Sequence, residues 1–131
     1  MRQYFIRTIL LVSAVIGPAE AIAQGVPIRE FTCVKTRIAH LEHRLQSSAN
    51  GPFVPDSGSA VRFANGLYQV SYTELEAVQQ SRDGDPVFIC LVRMPRACPA
   101  GDNRGRVYTA TNLRTLGSWT MSDSEHDCGG A

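Results

Sequence analysis

Lysine is almost missing from this chain: Lys35 stands alone, and the other cationic side chains are arginines. There is little net charge of either sign, with 13 Lys and Arg against 12 Asp and Glu, for a formal net charge of +1. A general nucleic-acid binder needs an excess of cations to displace counterions, so this balance excludes that class. No GxSxG elbow and no CxxC pair occurs, which removes the usual serine-hydrolase and thiolate-metal signatures. There is no internal repeat and no low-complexity segment. No run of about 18 consecutive apolar residues is present, which excludes an apolar membrane span.

What is there begins with a leader. Arg2 and Arg7 are basic, Ile6 to Ile16 is largely apolar, Gly17-Pro18 breaks the run, and Ala21-Ile22-Ala23 has the small-x-small form that precedes cleavage. Residues 1–23 therefore read as a secretory signal peptide, and residues 24–131 as a single domain, periplasmic or secreted, with no membrane span after cleavage. Loss of Arg2, Arg7 and Glu20 leaves the two charge signs equal. Cys33, Cys90, Cys98 and Cys128 all lie in the mature part. In an oxidising compartment they are expected to form two disulfides. Three connectivities exist; the expectation is Cys33 with Cys90 and Cys98 with Cys128, which pins both ends of the domain to a central hairpin.

That hairpin is the strongest strand signal. Val87-Phe88-Ile89-Cys90-Leu91-Val92 is β-branched and aromatic, bounded by Asp83-Gly84-Asp85-Pro86 and by Pro95, and its length favours a strand buried on both faces. A return strand starts at Arg106 after a tip containing Pro99, Gly101, Asp102, Asn103 and Gly105. Ala60 to Tyr72 predicts a second hairpin, with Asn65-Gly66 as a two-residue turn that needs positive φ at both central positions. Thr73 to Gln80 has helical character, two turns at most, with Thr73 as its cap. Val107 to Leu113 and Ser118 to Met121 predict another strand pair, turning near Leu116-Gly117. Trp119 is expected in the core or at its rim.

Residues 31–46 allow two readings. Phe31, Val34, Ile38, Leu41 and Leu45 fall on one helical stripe, whereas Thr32, Val34, Thr36 and Ile38 alternate as a strand would. The expected fold is mainly β, a small barrel or sandwich of about five to seven strands with one short helix. The alternative is α+β, with an N-terminal helix around 31–46.

Among side chains that could carry chemistry, His40, His43 and His126 lack metal-ligand spacing. Asp123, Glu125 and Asp127 lack the glycine-turned loop of a calcium site. Glu74, Glu76, Asp83 and Asp85 are carboxylates that any solvated surface offers. No catalytic residue, metal site or cofactor is assigned. The one feature that suggests a ligand is arginine: Arg93, Arg96, Arg104, Arg106 and Arg114 sit on or beside the central hairpin. Their forked donors suit carboxylates and phosphates, and the tip glycines suit an anion nest.

Asn112-Leu113-Arg114-Thr115, Trp119, Asp123-Ser124, His126 and Cys128-Gly129-Gly130-Ala131, with Cys98-Pro99, Gly101-Asp102 and Arg104-Gly105 upstream, resemble a group of small exported bacterial proteins with no assigned function. The resemblance implies a secreted domain and brings no catalytic or binding residue with it. Ser57-Gly58-Ser59-Ala60-Val61 is also similar in part to the Ser-Gly-x-x-Tyr loop of periplasmic lysozyme inhibitors, with Val61 where the tyrosine stands. The functional expectation is an exported, non-catalytic binding or envelope-associated domain, whose partner is an anionic ligand or an exported protein. The alternatives are an inhibitor of an exported hydrolase such as lysozyme, and a small periplasmic enzyme.

Overall fold

The structure is a computed structural model, and it describes residues 25–130. The expected signal peptide, residues 1–23, lies outside the described residues. Six antiparallel strands close into a barrel in the order β1-β2-β3-β6-β5-β4. They are β1 (Cys33–His43), β2 (Ser59–Phe63), β3 (Tyr68–Val70), β4 (Pro86–Arg93), β5 (Val107–Asn112) and β6 (Ser118–Ser122), with one short helix, α1 (Glu76–Gln79), between β3 and β4. Two three-stranded meanders, β1-β2-β3 and β4-β5-β6, therefore meet edge to edge at two seams. Among the described residues no helix is long and apolar enough to cross a membrane.

β1 is a strand, which overturns the alternative of a helix around 31–46. The helical stripe fails because its ends have nothing to pack on: Phe31 is 81% and Leu45 40% exposed, while Ile38 is 2% exposed. The β-branched alternation wins because both edges of the segment find partners, Cys33 to Arg37 on β4 and Ile38 to His43 on β2. A register shift between Ile38 and His40 bends the strand where it passes from one partner to the other.

β4 alternates rather than lying buried on both faces. Val87, Ile89 and Leu91 point into the barrel and are fully buried, whereas Phe88 is 44% exposed. A barrel has only one interior, so an apolar run feeds it with every second residue. The Asn65-Gly66 turn also differs from expectation. Only Gly66 has positive φ, at 87°, and the Phe63 carbonyl accepts from Gly66 N while Phe63 N donates to the Leu67 carbonyl. This is the three-residue loop in which a type I turn ends in a left-handed glycine. α1 is a single turn whose N-cap is Leu75, not Thr73, and no side chain caps it.

Both expected disulfides are present, Cys33–Cys90 and Cys98–Cys128, and no cysteine is free. Cys33 and Cys90 are register partners across the β1–β4 seam with Cα atoms 4.0 Å apart. A covalent bond thus spans one of the two lines along which the meanders join. The other line, β3–β6, has a single paired position, Val70 with Ser122. There a side chain does what the ladder does not. Gln69, fully buried, donates through Nε2 to the carbonyls of Tyr108 (2.8 Å) and Met121 (3.2 Å), and its Oε1 accepts from Trp119 Nε1 at 3.0 Å. Buried polar atoms are tolerated only when bonded, and this amide satisfies three groups at once.

The remaining core is apolar: Ile38, Val61, Phe63, Val87, Ile89 and Leu91 interlock with Tyr108, Trp119 and Met121. Tyr108 is fully buried and donates its hydroxyl to the Pro27 carbonyl at 3.2 Å, which fastens the lead-in to the barrel. Burial raises the Tyr108 pKa, so the hydroxyl keeps its proton for that bond.

Candidate functional site

The five arginines singled out by sequence do not gather in one place. β4 and β5 pair Arg93 with Val107 at one end and Val87 with Asn112 at the other. Those positions stand roughly 20 Å apart at the usual rise per strand residue. Arg114 follows Asn112 and so lies at the end of the barrel where α1 packs, away from the tip. There it makes a forked pair with Asp85, Nε to Oδ1 and Nη2 to Oδ2, both at 2.7 Å. Nη2 also donates to the Gln80 carbonyl at 3.0 Å.

Asp85 is buried, its side chain 4% exposed. Its Oδ2 accepts further bonds from Asn112 Nδ2 (2.8 Å) and Arg82 N (3.1 Å). The Arg114 bonds, and after them that from Asn112, outweigh burial and hold the Asp85 carboxyl well below the usual carboxylate range. Asn112, itself fully buried, adds a bond to Ser81 Oγ and receives the Arg114 and Thr115 amides on its Oδ1. Arg114 is thus held as a structural cation, and the structure does not bring it together with the tip arginines.

At the tip, Arg104 is also committed. Asp102 accepts from Arg104 Nε at 2.9 Å and Nη2 at 2.8 Å, and from the Gly129 amide at 3.0 Å. The Arg104 bonds lead in lowering the Asp102 pKa, and Asp102 in turn raises that of Arg104. Together with the Cys98–Cys128 bond and Cys128 N donating to the Arg104 carbonyl at 3.1 Å, this ties the tail to the tip loop. The result is a braced surface loop.

Arg93, Arg96 and Arg106 remain. Among the described residues, none of the three forms an ion pair. Arg106 Nε is buried without a hydrogen-bond partner, and its backbone N–H, with that of Gly105, donates to Asp123 Oδ1 at 3.0 and 2.9 Å. Two hollows flank this trio. The larger, of about 610 Å³, holds Arg104 and Arg106 opposite Asp102 and Asp123, so its charges cancel. The smaller, of about 400 Å³, holds Arg93 and Arg96 against one carboxylate, Asp127, and keeps a net positive charge.

Gly105 forms part of the smaller hollow's wall, and any larger residue there would be strained. Its φ is 94°, and a Cβ would meet Asp127 Oδ1 at 2.7 Å. Of the tip glycines, Gly105 has its amide already taken by Asp123.

The other residues considered from sequence are scattered. Asp83 Oδ1 accepts from Leu41 N at 2.9 Å, and Oδ2 stands 3.5 Å from His40 Nδ1. His43 Nδ1 meets Glu74 Oε1 at 2.8 Å, and Glu76 accepts from Gln80. His126 is exposed on the tail. Among the described residues, no three or more His, Cys, Asp or Glu side chains gather as metal ligands would. Ser57 to Val61 does not form a presented loop, since Ser59 opens β2 and Val61 is fully buried in the barrel.

Sequence reasoning missed Tyr72, Arg44 and Gln69. For Gln69 a signal existed: it stands opposite Val61 in the β2–β3 hairpin and therefore on the inward face. No protein-family model, curated protein or solved structure matches the chain.

Proposed function

We propose that this protein is an exported, non-catalytic binding domain that takes an anionic group in the hollow between Arg93 and Arg96. One observation carries the reading. Of the five arginines near the central hairpin, the two with carboxylate partners are locked into the framework, while Arg93 and Arg96 face a hollow with a net positive charge and have none among the described residues. A guanidinium without a protein acceptor keeps its forked donor geometry for a carboxylate or phosphate. The two disulfides support the exported part, because such bonds persist in oxidising compartments. The tail resemblance to small exported bacterial proteins agrees with it.

Calorimetric titration with tripolyphosphate at low and raised salt tests the anion site. Binding should weaken as salt rises, and Arg93→Ala with Arg96→Ala should reduce affinity tenfold or more, whereas Arg104→Ala changes it less than threefold. Equal affinity in the double variant and the wild type removes the proposal.

A second reading rests on the braced tip. Cys98 to Gly105 is fixed by a disulfide at one end and by the Asp102 bonds within it, and a loop held in advance loses little entropy when it enters a cleft. Titration against cell-wall hydrolases such as lysozyme separates an inhibitor of exported enzymes from an anion binder.

A further inference from the structure

Asp127 borders two hollows. One is the arginine hollow, and the other is a crevice of about 390 Å³ along the β3–β6 seam. The crevice exists because the ladder stops. With only Val70 and Ser122 paired, the chain beyond them diverges into Ser71-Tyr72-Thr73 on one side and Ser124-Glu125 on the other. Its lining is made of hydroxyls, one aromatic ring, the apolar Val70 and Met121, and two carboxylates, of which Glu125 is paired with Arg44.

That ring is held in place. The Arg44 guanidinium stacks 4.3 Å from the centre of the Tyr72 ring. Its Nε donates to the Ser57 carbonyl at 2.7 Å, and its Nη1 stands 3.5 Å from Glu125 Oε2. The Tyr72 hydroxyl donates to the Glu125 carbonyl at 3.4 Å. Arg44 is mostly buried, its side chain 15% exposed, yet Tyr72 remains 58% exposed. A ring fixed from behind and open in front is a stacking platform that costs little to order on binding. Around it, the carboxylates of Asp127 and Glu125 can accept hydrogen bonds from hydroxyl donors, and the Thr73 hydroxyl can give or accept one.

An open aromatic face, carboxylate acceptors and hydroxyls together match the chemistry of a pyranose, which has an apolar C–H face and a rim of hydroxyl groups. The adjoining arginines match a carboxylate. We propose that the anion taken by Arg93 and Arg96 is part of an acidic saccharide, with a sugar ring against Tyr72 and the acidic group of the same or the next residue in the arginine hollow. This rests on the anion reading above and names its ligand class.

Three probes separate the two claims: trigalacturonate, maltotriose and tripolyphosphate, each titrated calorimetrically into wild type, Tyr72→Ala, Tyr72→Phe and the Arg93→Ala/Arg96→Ala variant. Trigalacturonate should bind at least tenfold more tightly than maltotriose. Tyr72→Ala should weaken trigalacturonate tenfold or more and leave tripolyphosphate within twofold. Tyr72→Phe, which keeps the ring, should bind as wild type does, and an unchanged melting temperature in both variants shows that the fold is intact. If tripolyphosphate binds through the arginines and trigalacturonate ignores Tyr72, the saccharide inference falls and the anion site stands. If neither charged probe depends on Arg93 and Arg96, both fall.

Discussion

At the α1 end of the barrel, Arg114 lies against a buried aspartate, with Asn112, Ser81 and the Arg82 amide completing the set. At the tip end, Arg93 and Arg96 have no carboxylate partner among the described residues, although Asp127 is near. The same residue type, placed at both ends of one hairpin, stands in two different settings. What decides between them is whether a carboxylate stands within reach on a neighbouring element that is itself fixed. Asp85 precedes Pro86 at the start of β4 and stays in place, whereas Asp127 belongs to a tail that is held mainly by Cys128 and Gly129.

The disulfides test this contrast most strongly. Cys33→Ser with Cys90→Ser opens a link across 57 residues in the closing seam and should cost about 4 kcal/mol of unfolding free energy, measured in urea. Cys98→Ser with Cys128→Ser should cost less than the chain-entropy value for its 30-residue link, because the barrel strands pack without the tail. Its main effect should be weaker tripolyphosphate binding. Similar losses of stability from the two pairs would mean that the tip is part of the cooperative barrel.

Next in size is the acid response. The folded-state pKa of Asp85 is lowered, so its stabilising contribution is complete above the unfolded value of about 3.9 and is lost as pH falls through the folded value. In Asp85→Asn that contribution is absent at every pH. The stability gap between wild type and variant should therefore be constant from pH 7 to about 5 and should narrow below about 4. A gap that widens on acidification would contradict the assignment of Asp85 as the ionised anchor of Arg114. The smallest effect is expected at the tip, where Arg93→Ala and Arg96→Ala should each change stability by no more than about 0.5 kcal/mol.

Much of the fold was legible because β-branched runs, turn residues and cysteines are local signals. The β4–β5 and β5–β6 pairings and the hairpin at Gly66 follow from residue types near their own positions, whereas the cysteines indicate two disulfides and leave their pairing, across 57 and 30 residues, to the fold. The limits were equally physical. Sequence could not choose between strand and helix for β1, since that depends on what the segment's edges meet. It also grouped Arg114 with the tip, although the length of the return strand from Val107 carries position 114 to the opposite end of the hairpin. The Asp85 partnership spans 29 residues and the Tyr72 platform depends on Arg44, another long-range contact. Neither has a local signature.

The two-meander architecture also separates near pairings from distant ones. Within each meander, neighbouring strands are consecutive in the chain, so their pairing costs less loop-closure entropy than the seams do. The two seams meet that larger cost by different means. At β1–β4 five register partners and the Cys33–Cys90 bond, which links positions 57 residues apart, hold the edges. At β3–β6 one ladder position and the Gln69 amide with its three partners do so. The crevice beside Tyr72 thus opens along the less reinforced of the two closures.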